Sequence, residues 1–190
     1  ERRRVAESGL RIEVRHGDEI DPGEWPALHA LYASTFDKYG NYAAFTAQCF
    51  ADLAAALGRR MVLFIARADG VPVALSICFR SADTLYGRYW GTSGNYHSLH
   101  FELCFYQGID YCLREGLAIF EPGAGGEHKV ARGFAPGGPE QRGAAHRRDQ
   151  PGDAAELATH LALQLTDPIA HGPIDGPEVP LHRPERRAVP

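Results

Sequence analysis

Residues 84–134 read TLYGRYWGTSGNYHSLHFELCFYQGIDYCLREGLAIFEPGAGGEHKVARGF, and this stretch decides the fold. Thr84–Trp90 is rich in aromatic and β-branched residues and reads as a strand. Simple alternation puts Tyr86, Arg88 and Trp90 on one face, with Leu85, Gly87 and Tyr89 on the other. A loop bearing Gly91 and Gly94 follows. His97–Glu115 then carries a helical seam of Phe101, Cys104, Phe105, Gly108, Ile109 and Cys112, while Leu99, Leu103 and Tyr106 point roughly the opposite way. Gly116 ends that helix, and Leu117–Glu121 is a short strand. A strand joined to a second strand through a helix predicts a parallel pair.

Upstream the pattern continues. Leu10–Arg15 alternates apolar and charged residues, as a half-buried strand does. Asp21 and Pro22 open a helix over 24–37, whose apolar stripe is Trp25, Leu28, Leu31, Tyr32 and Phe36. A second helix is predicted over 42–57, with Asn41 as its cap and Gly58 closing it. Two apolar runs, 61–67 and 71–80, flank Asp69-Gly70, a dipeptide that suits a tight hairpin. The element order is β, α, α, β, β, β, α, β, an α+β (mixed α/β) domain with a central mixed sheet flanked by helices.

Composition narrows the function. With 190 residues and 44% hydrophobic content, one domain with a real core is expected. A net charge of −4 gives no overall case for nucleic acid or a membrane surface. No apolar run approaches the ~20 residues of a spanning helix, and the start ERRRVAESGL lacks the apolar core of a secretory signal. If Cys104 and Cys112 share a helix, they stand about 12 Å apart, too far for a disulfide. Reduced, buried thiols at Cys49, Cys78, Cys104 and Cys112 point to a cytoplasmic protein.

Chemistry-bearing residues collect at the element junctions. A glycine-bearing loop opening a helix, here with Gly91 and Gly94, suits a phosphate or carboxylate; it also suits a plain turn. Arg88 between Tyr86 and Trp90 can present its fork to an anion, or pair with an acid such as Glu102. His97 and His100 with Glu102 lack the further ligand of a zinc site and read as helix capping and polar surface. Glu121 ends a strand, and after glycines come Glu127, His128, Lys129 and Arg132. Lys129 and Arg132 can clamp an anionic donor or an oxyanion, and Glu127 or His128 can take a proton from an amine. Salt bridging within the loop is the alternative account.

The segments LYGRYWG, HFELCFYQGID and GEHKVARGF resemble the FemAB-like family of GNAT-type acyltransferases, described as peptidoglycan biosynthesis/recognition. The resemblance spans about 15–134 and implies a GNAT-like domain that transfers an acyl or aminoacyl group to an amine without a metal. It implies acyl-CoA or aminoacyl-tRNA as donor, so tRNA is a candidate partner, with no tightly bound cofactor. The acceptor would be a small molecule or a peptidoglycan precursor. The Q/R-x-x-G-x-G/A pattern usual at a coenzyme A loop is absent. In this assignment Glu127, His128 and Lys129 are catalytic, Tyr86, Arg88, Trp90, Glu121 and Arg132 bind substrate, and Gly91 and Gly94 bind the cofactor. A non-catalytic ligand-recognition module and an inactive fragment of a longer transferase remain as alternatives.

Residues 1–9 read as a flexible segment and 10–134 as the partial transferase domain. The last 56 residues, 135–190, hold nine of the 13 prolines and no Phe, Tyr, Trp, Cys, Met or Lys. Such a low-complexity tail is expected to be disordered, apart from a helix near 153–165, and it reads equally as a native tail or as the product of a reading-frame change. On this reading the sheet is incomplete at its C-terminal end and the chain is a fragment.

Overall fold

The structure, a computed structural model, describes residues 1–38, 40–123 and 134. The elements in chain order are α1 (Arg2–Ala6), β1 (Arg11–His16), α2 (Trp25–Lys38), α3 (Ala47–Leu57), β2 (Met61–Ala68), β3 (Val71–Arg80), β4 (Thr84–Thr92), α4 (Leu99–Phe101), a π-helical turn (Glu102–Tyr106), α5 (Gln107–Glu115) and β5 (Ile119–Glu121). One five-stranded sheet has the order β1-β2-β3-β4-β5. Its first four strands are antiparallel and β5 runs parallel to β4, as the helix crossover requires. The β2–β3 turn has positive φ at both central residues, 49° at Asp69 and 82° at Gly70. That is the geometry an Asp-Gly hairpin favours.

Side chains of the central strands alternate between two cores. Met61, Leu63, Ile65, Leu75, Ile77 and Phe79 pack beneath α2 and α3 with Leu28, Tyr32 and Phe50. Val62, Phe64, Ala66, Cys78 and Leu85 pack on the other face with Leu99, Leu103, Tyr111 and Cys112. A buried leucine or phenylalanine contributes roughly 1.5–3 kcal/mol, so β2 and β3, covered on both faces, anchor the domain.

Four local expectations are corrected. Helix α3 starts at Ala47 with Thr46 as its cap, not near Asn41: the Thr46 hydroxyl accepts from the Cys49 amide at 3.2 Å. The preceding residues are drawn out by Phe45, whose carbonyl bonds His29 at 2.8 Å and whose ring packs on Phe50 and Tyr89. The seam predicted for 97–115 also slips. The π turn spends one extra residue, so Leu99, Leu103 and Tyr111 are buried alongside Phe105, Gly108 and Cys112 of the expected seam.

The segment 1–9 contains α1, with Val5 buried. A lone valine among charges gives no periodic signal. The helix is instead tied down by tertiary contacts: Arg2 to Asp110 at 2.6 Å, and the Tyr106 hydroxyl to Glu1 at 2.6 Å. Finally, Glu102 is 3% exposed rather than surface polar. Its carboxylate meets Gln107 at 2.9 Å and Arg2 at 3.3 Å, so it is not the partner of Arg88.

Candidate active site

The site is organised by a bulge in β4. Cys78 pairs with Gly87 and Ile77 with Tyr89, which leaves Arg88 as an extra residue. A bulge reverses the alternation beyond it. Tyr86, opposite Phe79, and Tyr89, opposite Ile77, therefore share the α2/α3 face, while Trp90, opposite Ser76, turns to the other. The expectation that Tyr86, Arg88 and Trp90 share one face fails for this reason. The Trp90 ring instead meets His100 edge-on at 5.2 Å.

Backbone direction switches with the side chains. The Ser93 amide donates to the Val73 carbonyl at 2.9 Å, which places the β3 ladder bonds on alternate residues Ser93, Gly91 and Tyr89. Trp90 and Thr92 thus turn their amides and carbonyls away from β3. On that side β5 pairs only with Thr84–Tyr86. Residues Pro122 and Gly123 still lie against Gly87, and beyond it no described strand pairs on this side with β4 from Arg88 to Thr92.

Arg88, the bulged residue, follows directly on the end of the β4–β5 pairing. Its guanidinium lies over the Tyr86 ring at 5.3 Å and donates to the Gly87 carbonyl at 3.0 Å. Burial lowers its pKa below the usual guanidinium value, and the charge of Glu121 opposes that shift. Arg88, Tyr86 and Glu121 are therefore brought together as one cationic–aromatic–acidic group. The strands approach closely here: a side chain at Gly87 would stand 3.3 Å from the Pro122 backbone.

The two loop glycines have different surroundings. Gly91 lies under α2, where a Cβ would overlap the Leu31 carbonyl, so packing alone requires glycine there. The Gly94 amide donates to the Thr92 hydroxyl at 3.4 Å, and the Ser93 amide is committed to β3. His97 is fixed between Arg4 at 3.2 Å and Ser98 at 2.7 Å.

Glu127, His128, Lys129 and Arg132 lie outside the described residues, as do 135–190 and the helix expected near 153–165. Their flanks are described. Gly123 comes within 3.4 Å of the Gly87 carbonyl, measured to its Cβ position. Phe134 packs on Phe105 and Phe120, both at 5.6 Å between ring centroids. Among the described residues no group of three His, Cys, Asp or Glu side chains could hold a metal ion, and no helix is long and apolar enough to cross a membrane.

Sequence reasoning missed Ser34 and Thr35. The Thr35 hydroxyl donates to the Trp90 carbonyl at 2.6 Å and the Ser34 hydroxyl to the Thr92 carbonyl at 3.0 Å. Two adjacent hydroxyls on the edge of an apolar stripe were the available signal.

A five-stranded mixed sheet with this order and a parallel last pair is the GNAT-like fold. The chain belongs to the FemAB-like family, described as peptidoglycan biosynthesis/recognition, whose model matches residues 1–167. That match runs beyond both ends of the stretch 15–134. Among solved structures, the chain is similar to the C-terminal domain of a protein from Agrobacterium fabrum named as a lysylphosphatidylglycerol synthetase. There the TM-score is 0.50 and the identity 13%, over 62% of this chain and 37% of that one. It is also similar to a ribosomal-protein-alanine N-acetyltransferase from Brucella melitensis biovar Abortus 2308, with TM-score 0.46 and 16% identity over 76% of this chain and 97% of that one. A third is the PaiA N-acetyltransferase of Thermoplasma acidophilum in complex with coenzyme A, with TM-score 0.45 and 10% identity over 56% and 75% of the two chains. No curated protein matches the chain.

Proposed function

We propose that this chain transfers an acyl group from an acyl thioester of the acyl-CoA class to an amine, with a peptidoglycan precursor as acceptor. The observation that supports the reading is the edge of β4 past the Arg88 bulge, with which no described strand pairs. An extended thioester laid along β4 would place its carbonyl oxygen near the outward amides, which are fixed donors for the charge that develops there. The family description supports the acceptor class.

In the reaction the amine attacks the thioester carbonyl, the tetrahedral oxyanion collapses, and the thiolate leaves. The proton lost by the amine goes to Glu127 or His128. Lys129 and Arg132 hold the donor or the oxyanion, and Arg88, steadied by Tyr86 and Glu121, positions an anionic group of the substrate. Among the described residues Gly123, which precedes the segment 124–133, lies against the Gly87 carbonyl next to Arg88, and this supports the reading.

Calorimetric titration with acetyl-CoA tests the donor, followed by assays with amine-bearing muropeptides. Lys129→Ala and Arg132→Ala should weaken donor binding or turnover with little change in Tm. Glu127→Gln should slow turnover while leaving donor binding intact, because a base acts mainly in the transition state. Normal turnover by all three variants would remove the charged segment from the mechanism.

A further inference from the structure

We infer that Thr35 and Ser34 of α2 are positioning residues that make the open edge of β4 a donor-only surface, suited to the thioester carbonyl and closed to a further strand. The inference rests on the acyltransferase reading and deepens it. A bare strand edge alternates N–H and C=O groups, and another strand can pair with both. Along Trp90–Thr92 the carbonyl half of that pattern is taken. Thr35 occupies the Trp90 carbonyl at 2.6 Å and Ser34 the Thr92 carbonyl at 3.0 Å. The amides of the same two residues point the same way, because the β3 ladder uses Ser93, Gly91 and Tyr89.

The arrangement is held at a fixed height. Gly91, between the two capped residues, lets the Leu31 backbone of α2 lie directly on the strand, so hydroxyls three and four residues further along reach past its edge. Ser34 also donates to the Leu31 carbonyl at 2.6 Å, so its one proton is shared between two acceptors while that of Thr35 is committed to Trp90. Thr35 is therefore the stronger cap. Removing it would return a bare carbonyl to the edge, beside the place where the thioester oxygen becomes negative. It would also free the Trp90 peptide to tilt. Either change weakens polarisation of the acyl carbonyl without touching the rest of the donor.

The test uses the full chain and acetyl-CoA carrying 13C at the thioester carbonyl. On binding to the wild type, the carbonyl resonance should move downfield. Thr35→Val, nearly the same shape without the hydroxyl, should bind with a Kd within about threefold and lose most of that movement, and Thr35→Ser should restore it. Melting curves of both variants establish that they are folded, and a Thr35→Val that does not fold leaves the comparison to Ser34→Ala, which should lose a smaller part of the shift. An equal downfield movement in the wild type and the hydroxyl-deleted variant overturns the inference alone, as does an unmoved carbonyl in a wild type that binds. A wild type that binds no acetyl-CoA overturns the donor reading and the inference with it.

Discussion

Gly91 of β4 lies so close to Leu31 of α2 that a single added methyl group would overlap the Leu31 carbonyl. Helix and strand meet here through backbone, and the obstructing atom cannot rotate away. Gly91→Ala should therefore cost about 3 kcal/mol or more, at the upper end for overpacking. Urea denaturation measures it; a loss below about 1 kcal/mol would show that α2 can lift off β4 freely.

Gly108 poses a similar constraint with a softer neighbour. A Cβ there would run into the Phe120 ring, whose far end can yield. Gly108→Ala should destabilise by about 1–3 kcal/mol, and Phe120→Leu in the same chain should recover part of that loss. Strict additivity of the two changes would mean that they do not share this contact.

The Arg88–Glu121 attraction at the bulge should appear as a coupling. Arg88→Met and Glu121→Gln, singly and together, should give an interaction energy of about 0.5–1 kcal/mol in denaturation. The coupling should shrink in high salt only modestly, because burial lowers the Arg88 pKa and marks a site partly withdrawn from water. A zero coupling would detach Glu121 from the group.

Burial pushes the Cys112 thiol up to about 11, with the Arg80 charge opposing. Near neutrality it is almost wholly protonated, and the thiolate is the nucleophile. Its alkylation by iodoacetamide at about pH 8 should be roughly two orders of magnitude slower than that of an ordinary cysteine. The rate should climb about tenfold per pH unit up to about pH 10. Mass spectrometry of the labelled peptide reads both, and fast labelling near pH 8 would contradict the burial.

Glu19 supplies a pH dependence at the acid end. The backbone amide of His16, with lesser help from the His16 ring and Arg59, lowers its pKa from the ordinary 4.5, against the effect of burial. A depressed carboxylate pKa means stability that is present above 4.5 and lost as pH falls through the folded-state value. Glu19→Gln should thus lower Tm at neutral pH, and the difference should close below pH 4.5. A difference that persists unchanged into acid would assign the effect to packing.

Much of the fold was legible because it rests on local rules. The apolar runs 61–67 and 71–80 and the aromatic and β-branched stretch 84–90 marked the strands, Asp69-Gly70 marked the hairpin, and Gly58 and Gly116 marked helix ends, since each follows from what a short local stretch permits. The helix between β4 and β5 dictated their parallel pairing. The family resemblance, carried by LYGRYWG and GEHKVARGF, was equally legible in the string. What only the tertiary structure decided depends on neighbours distant in the chain. The bulge at Arg88 turns Trp90 away from Tyr86, because register is settled between β3 and β4. The slip of the π turn is tied to Glu102, held by Arg2 one hundred positions earlier. Thr35 caps Trp90 only because Gly91 lets α2 settle onto the sheet, a contact that no local pattern encodes.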